Sequence, residues 1–486
     1  MSSGLKQKTV KGAAWSFADN IAGSGITFLV GIVLARLLSP DEYGLIGIIL
    51  LFITVFNSIV DSGFTAALIR KKDATDKDYN TVFISNLVIS IILFFVLLLC
   101  APYISCFFKR TELTPLIRAM GVVLIINALS LVPNAIITKR IDFKTKTKAS
   151  LISSIFSGIV GIGMALKGYG VWSLVGQQIS RQSINTLCLC VYNKWIPKFT
   201  FYYKSFKELW NFGFKLLISG LINTVWSEIY QVVIGKCYST ETLGHYTQAR
   251  QFTNIFSSNL NSVIQKVSYP VLSSIQEEKD RLKDGYRKII KLSMLLSFVL
   301  CLGMAATAKA LLFVLIGEQW LPCVPLLQII SFNMMLYPLH SLNLNMLQVA
   351  GRSDLFLKLE IIKKCIGVIP ILFGIFGNIY WMLCIGFITG GCIDYILNSY
   401  YSGEFVNYSS LEQLKDIMPS FLIAITMAII IFLMSFIPIN LYVLLPIQIF
   451  TGATYFFLIC EWVRPSEYIE LKAIAVSIGS SLIRKL

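Results

Sequence analysis

Histidine is almost missing from this sequence: His245 and His340 are the only two in 486 residues. A histidine-based metal site or a Ser-His-Asp triad therefore has little to draw on. Charge is also scarce, at 14% of residues, with 26 Asp and Glu against 42 Lys and Arg. So little charge excludes an ordinary soluble protein. No GxxxxGK[ST] loop occurs and no polar loop is large enough to fold as a nucleotide-binding domain, so neither ATP nor any other cofactor is expected. The eleven cysteines form no CxxC pair and lie mostly within apolar stretches, which predicts small buried residues rather than disulfides or metal ligands.

Apolar residues fill the space that charge leaves, at 56% of the chain. They come in runs of about 18 to 25 residues, enough for a helix to cross about 30 Å of hydrocarbon. Helices are the expected choice, because a segment in lipid must satisfy its own backbone hydrogen bonds. About fourteen spans are expected, at 10–38, 43–63, 81–103, 115–136, 149–166, 170–192, 213–235, 244–268, 289–315, 322–349, 360–378, 380–398, 418–437 and 440–462. The first is too long for a signal-peptide core, contains Asp19 and Asn20, and ends at Arg36 without a cleavage site. It is expected to remain as a span.

Lysine and arginine set the orientation. Before span one and in alternate loops after it stand 33 of the 42 basic residues, from Lys6 through Lys71, Arg140, Lys204, Arg287, Lys363 and Lys415 to Lys485. That side is expected to be cytoplasmic, with both termini inside. The net charge of +16 then reports topology and contact with anionic membrane lipids, and needs no nucleic acid. The opposite loops are short; Trp320, in GEQW, is expected to anchor at the outer interface. The tail from Ser466 to Leu486 places Leu471, Ala475, Ile478 and Leu482 on one helical face, as an interfacial helix would.

The stretch IVLARLLSPDEYG at Ile32–Gly44 returns about 200 residues later as VVIGKCYSTETLG at Val232–Gly244. Arg36 falls over Lys236, Ser39 over Ser239, Asp41 over Glu241 and Gly44 over Gly244. With slowly growing offset, Asp78 and Tyr79 are answered by Asp284 and Tyr286, Pro115 by Pro325, and Arg140 and Asp142 by Arg352 and Asp354. An internal duplication is expected.

Charges inside spans are the informative residues, since each costs about 2.5 to 3.5 kcal/mol at a helix centre. They are Asp19 beside Asn20, Arg181, Glu228 and Arg250. Spans seven and eight share a short loop, which sets Glu228 and Arg250 at similar depth. They either pair to hold two helices, or Arg250 lines a hydrated cavity with Asn254 one turn on and with Arg181. Arginine forks onto phosphate oxygens and keeps its charge, so such a cavity would draw in an anion such as a pyrophosphate head group. Asn259, Asn261, Gln265, Asn333, Asn343, Asn345 and Gln348 suit sugar hydroxyls, or equally hydrogen bonds between helices. His340 is expected as a hydrogen-bonded interior residue.

GAAWSF at Gly12–Phe17, ARLLSPDEYG at Ala35–Gly44, DSGFTAALIRKKD at Asp61–Asp73, KGYGVWSLV at Lys167–Val175 and LGHYTQAR at Leu243–Arg250 together resemble a known family. It is the Wzx-like oligosaccharide flippases, in the polysaccharide-export branch that includes colanic-acid and teichuronic-acid exporters, within the multidrug/oligosaccharidyl-lipid/polysaccharide exporter superfamily. The resemblance implies an all-α polytopic fold, with two six-helix lobes as parallel repeats around a central cavity and two further C-terminal helices. On this chain the lobes are expected at 1–205 and 206–400, the extra spans at 401–465 and the cytoplasmic tail at 466–486. It also implies transport of an undecaprenyl-pyrophosphate-linked oligosaccharide to the outer leaflet of the bacterial cytoplasmic membrane by alternating access.

On that reading Arg181, Arg250, Asn254 and Asn20 become candidate substrate contacts, and Asp19 and Glu228 candidate ion-coupling sites. A polysaccharide polymerase and glycosyltransferases are the expected partners. The alternatives are a cation-coupled small-molecule antiporter of the same superfamily, or a membrane glycan polymerase or glycosyltransferase. An enzyme of that kind would ordinarily show a long external loop or paired cytoplasmic carboxylates, and neither is present.

Overall fold

Ser39, Pro40, Asp41 and Glu42 start a helix by local chemistry alone. The Ser39 hydroxyl accepts from the Glu42 backbone N–H at 3.4 Å, and the Glu42 carboxylate accepts from the Ser39 N–H at 2.7 Å. This capping box is completed by proline at the first helical position, where a missing N–H costs nothing. Its counterpart behaves alike: the Ser239 hydroxyl accepts from the Thr242 N–H at 3.1 Å and opens another helix at Thr240.

The computed structural model describes residues 23–473 apart from Lys72, Ile141 and Lys194. Among these every regular element is helical and there is no strand. In order they are α1 (Gly23–Leu37), α2 (Pro40–Asp61), α3 (Phe64–Arg70), α4 (Asp76–Phe108), α5 (Leu113–Lys139), α6 (Phe143–Leu166), α7 (Trp172–Asn193), α8 (Tyr203–Cys237) and α9 (Thr240–Ser274). There follow α10 (Lys279–Ile316), α11 (Cys323–Met334), α12 (Tyr337–Val349), α13 (Ser353–Ile366), α14 (Val368–Phe376), α15 (Ile379–Gly386), α16 (Asp394–Val406), α17 (Ser410–Met434) and α18 (Leu441–Val463). From the second onward, every expected span overlies a helix or two consecutive ones. Ten, counting α11 with α12 and α15 with α16, are long and apolar enough to cross a membrane; the other expected spans fall on α1, α7, α9 and α13 with α14. Large apolar side chains such as Phe95, Leu99, Phe376 and Phe450 point outward, as they would toward lipid.

Contacts divide the chain into two units at Thr247/Gln248. In the first, α5 is the central element, packed against α2, α3, α4, α6 and α7, while α8 lies along α2, α3 and α4. The two copies of the repeated turn meet inside this unit. A Cβ added to Gly44 would lie 1.9 Å from the Thr240 carbonyl oxygen, and one added to Gly244 would lie 1.8 Å from that of Pro40. Each copy's glycine thus sits on the first helical residue of the other, the reciprocity that a local twofold imposes. Arg110 clamps the crossing: its guanidinium donates to Asp41 and Thr240, and the Thr240 hydroxyl donates to Asp41. A second close approach explains DSGF, where Gly63 takes a φ of 68° and presses against Gly213 of α8.

In the second unit α10 is central and touches α11, α12, α16, α17 and α18. Arg287 forks onto Asp416 at 2.5 and 2.6 Å, and the Tyr408 hydroxyl donates to the same carboxylate at 2.7 Å. Trp320, expected at the outer interface, is instead 0% exposed, because the short helical turn Glu318–Trp320 folds back against α10. The cysteines also depart from expectation. All eleven are free, but only Cys301, Cys323 and Cys460 are buried; Cys106, Cys190, Cys237, Cys365, Cys384 and Cys392 lie on the surface, where a thiol is apolar enough to face lipid.

The tail is docked rather than merely laid on a surface over its described part, residues 466–473. Tyr468 joins Leu295, Ile423 and Cys460 in a small core. Glu467 is 3% exposed and accepts from the Ser420 hydroxyl at 2.7 Å and the Ser466 hydroxyl at 2.9 Å, with Lys291 at 3.6 Å. Burial would raise its carboxyl, but these hydrogen bonds and the ammonium hold it below the ordinary glutamate value.

Two outcomes follow from these packings. Gly44→Ala or Gly244→Ala should each destabilise the full chain in detergent by about 1 to 3 kcal/mol through overpacking, read as a lowered thermal midpoint. Gly163→Ala, which meets nothing within 4 Å, should not. Because the Glu467 carboxyl is depressed, its share of tail docking is present above the ordinary glutamate value and lost as pH falls through its own lower one. Protease cleavage around residue 465 should therefore appear only in acid, and at a higher pH in Ser420→Ala.

Candidate functional site

Two helices are long enough to span but too polar for lipid. α7 has 22 residues and α9 has 35, so at 1.5 Å each they reach about 33 and 52 Å. α7 carries Gln177, Gln178, Arg181, Gln182 and Asn185; α9 carries Gln248, Arg250, Gln251, Asn254, Asn261 and Gln265. Such helices must turn their polar side toward protein or water.

On α7 the amides and the arginine divide the work. Gln182 donates to Asn127 of α5 at 2.8 Å, Asn127 donates to Asn57 of α2 at 2.9 Å, and the Thr186 hydroxyl donates to the Ile126 carbonyl at 3.1 Å. This ladder ties three helices together. Arg181 takes no part in it. Half-buried and about 14 Å along α7, it has no hydrogen-bond or ion-pair partner among the described residues. A guanidinium at that depth is costly unless water or an anion reaches it, and its fork geometry suits phosphate.

The other expected residues are placed as follows. Glu228 of α8 is half-buried and accepts from Gln231, and from the Ser227 hydroxyl at 3.5 Å. Arg250 and Asn254 of α9 are half-buried and one turn apart, hence on one helix face. Arg181 and Glu228 belong to the first unit, Arg250 and Asn254 to the second. Asp19 and Asn20 lie outside the described residues. Among the described residues no group of three His, Cys, Asp or Glu side chains gathers as a metal site.

Several amides read as sugar contacts are instead hydrogen bonds between helices. Asn343 accepts from Tyr286 at 2.7 Å and from Ser402 at 2.6 Å, and Asn345 donates to Gln265 at 2.8 Å. His340 departs in the other direction: both ring nitrogens are enclosed and have no hydrogen-bond partner among the described residues. Sequence reasoning also passed over Glu360 and Asp394 and took Lys363 for a loop flank, although all three lie inside the helices α13 and α16. The signal was charge inside stretches that otherwise read as spans, 360–378 and 380–398.

Comparison with known proteins finds relatives of the chain and of its fold. The model of a family described as polysaccharide biosynthesis protein matches residues 33–325. Teichuronic acid biosynthesis protein TuaB of Bacillus subtilis (strain 168) is 30% identical over 305 residues, 62% of this chain and 63% of its own length. Lipopolysaccharide biosynthesis protein WzxC of Escherichia coli (strain K12) is 22% identical over 376 residues, 76% of each chain. Among solved structures, the lipid II flippase MurJ in an inward closed conformation superposes with a TM-score of 0.74 at 15% identity, over 94% of this chain and 99% of that one. An inward-facing multidrug resistance MATE family transporter of the MOP superfamily gives 0.61 at 14% identity, over 79% and 96%. The fold is therefore that of these transporters.

The division of labour on α7 is testable by stability. Asn127→Leu strands the Asn57 and Gln182 amides and should destabilise by about 1 to 3 kcal/mol. Arg181→Gln removes no partner and should leave the thermal midpoint of the detergent-solubilised chain unchanged.

Proposed function

This chain belongs to the polysaccharide biosynthesis protein family, and from that premise we propose that it flips a lipid-linked oligosaccharide across the bacterial cytoplasmic membrane. The cargo is an undecaprenyl-pyrophosphate-linked repeat unit, taken from the cytoplasmic to the outer leaflet for surface polysaccharide synthesis. The observation that carries this reading is Arg181, an arginine at mid-depth on a helix too polar for lipid and without a partner among the described residues.

A pyrophosphate carries the charge that such a guanidinium lacks, and bidentate hydrogen bonding would fix its orientation. Arg250 and Asn254 supply a second cation and an amide one turn apart, with Asn20 as a further contact, and Glu228 and Asp19 are titratable groups for coupling. The two halves that carry the repeated turns, 1–205 and 206–400, act as lobes in this reading, with α17 and α18 added. Distribution of lysine and arginine supports cytoplasmic termini. A polymerase and the glycosyltransferases that build the unit are the partners this cargo requires.

The test is leaflet accessibility of lipid-linked oligosaccharide in cells depleted of the protein, with the glycan identified by mass spectrometry. A finished repeat unit should accumulate facing the cytoplasm. Arg181→Ala and Arg250→Ala should reproduce that accumulation with the protein still inserted. Accumulated material lacking a sugar, or finished and already facing outward, would reject flipping in favour of an enzymatic role.

A further inference from the structure

Three helices of the second unit carry His340, Glu360, Lys363 and Asp394 at similar distances from one common end. α12, α13 and α16 pack on one another, and the π-helical turn Phe387–Ile393 leads into α16 against α13. Their common end is marked by Arg352, whose guanidinium lies 5.8 Å from the centre of the Phe405 ring. From that end, at 1.5 Å per residue, Glu360 lies about 10 Å along α13, Lys363 about 15 Å, His340 about 14 Å along α12 and Asp394 about 18 Å along α16.

Lys363 is 11% exposed and ion-paired with Glu360 one turn away. It also acts electrostatically on both Asp394 and His340, and Glu360 acts on Asp394. Asp394 is half-buried and has no hydrogen bond or ion pair among the described residues. The His340 ring nitrogens are likewise unbonded there. Other elements against α16 add little: the charges of α17 lie near its start, at Glu412 to Asp416, and those of α10 at Lys279 to Lys291, apart from the exposed Lys309 near its far end. α11, which packs on the π turn, carries no Asp, Glu, Lys, Arg or His.

On α13 itself Lys358 is exposed and the half-buried Lys364 has an interaction of its own, which leaves the Lys363 ammonium as the one that acts on both carboxyls. With both ionised the group would carry a net negative charge inside hydrocarbon, and the carboxylate left without a donor would be strongly disfavoured. A proton on Asp394 removes that charge. When it leaves, Asp394–COOH becomes Asp394–COO⁻ plus a free proton, and the Lys363 ammonium is shared between Asp394 and Glu360. Lys363 already supplies the positive charge that a metal cation would bring, which favours a proton over sodium as the exchanged ion. A π turn next to the carboxyl is in keeping with a functional position, since such turns concentrate there.

We propose that Asp394, with Lys363, Glu360 and His340, forms an intramembrane proton-binding site, and that the proton drives transport. Binding stands on this geometry alone; the coupling rests on the flippase reading. Infrared titration of the purified full chain in lipid nanodiscs should show a protonated-carboxyl C=O band that persists at neutral pH and is lost on alkalinisation. Asp394→Asn should abolish the band. Glu360→Gln, which frees Lys363 to balance an ionised Asp394, should abolish it at neutral pH too, and tests the idea even if the first variant fails to fold. A band unchanged in either folded variant overturns the site. In cells, Asp394→Asn should accumulate cytoplasm-facing oligosaccharide as depletion does; a normal leaflet distribution in that variant overturns the coupling. Failure of depletion itself to cause accumulation would instead reject the flippase reading, with the infrared result unaffected.

Discussion

Hydrocarbon offers no hydrogen bonds, and the architecture of this protein depends on that constraint. Each polar group within a span must find a partner on another helix or a route to water. Most do the former: Asn57, Asn127 and Gln182 bond in series across three helices, Asn343 is shared by Tyr286 and Ser402, and Asn345 holds Gln265. Against that pattern of satisfied groups, Arg181, Asp394 and His340 stand apart. Their lack of partners among the described residues separates them from the groups that hold helices together, and the proposed cargo and proton sites rest on that difference.

The same constraint makes close helix packing valuable, because lipid tails are as apolar as leucine and burial alone brings helices together weakly. At the repeated turns the absence of side chains on Gly44 and Gly244 lets two helix starts touch backbone to backbone, and Arg110 adds charged hydrogen bonds over the crossing. The proposed alternation between two openings needs contacts that are well fitted yet few. A short glycine crossing clamped by one arginine has that character, whereas the wide aliphatic packing of α10 against α17 does not.

Legibility followed length of signal. Long apolar runs gave the helices, and the offset of about 200 identified the turns that meet. Arg181 was legible because a lone charge in a span is conspicuous. Lys363 was not, for a specific reason: lysine near a span end reads as a topology mark, even where it falls inside a helix, as it does in α13. Trp320 failed similarly, since tryptophan near a loop signals an interface whether or not the loop folds back over it.

By itself the sequence determined the class of the protein, its helices, the recurrence of one turn and the identity of a few expensive charges, because these depend on composition and on spacing along one chain. Tertiary structure alone decided which polar groups are spent on each other. Whether an asparagine binds a neighbour or remains available, and whether a lysine faces one carboxyl or two, depends on which faces of distant helices meet. Helical periodicity says where a side chain points along its own axis, but the partner across the gap belongs to another part of the chain.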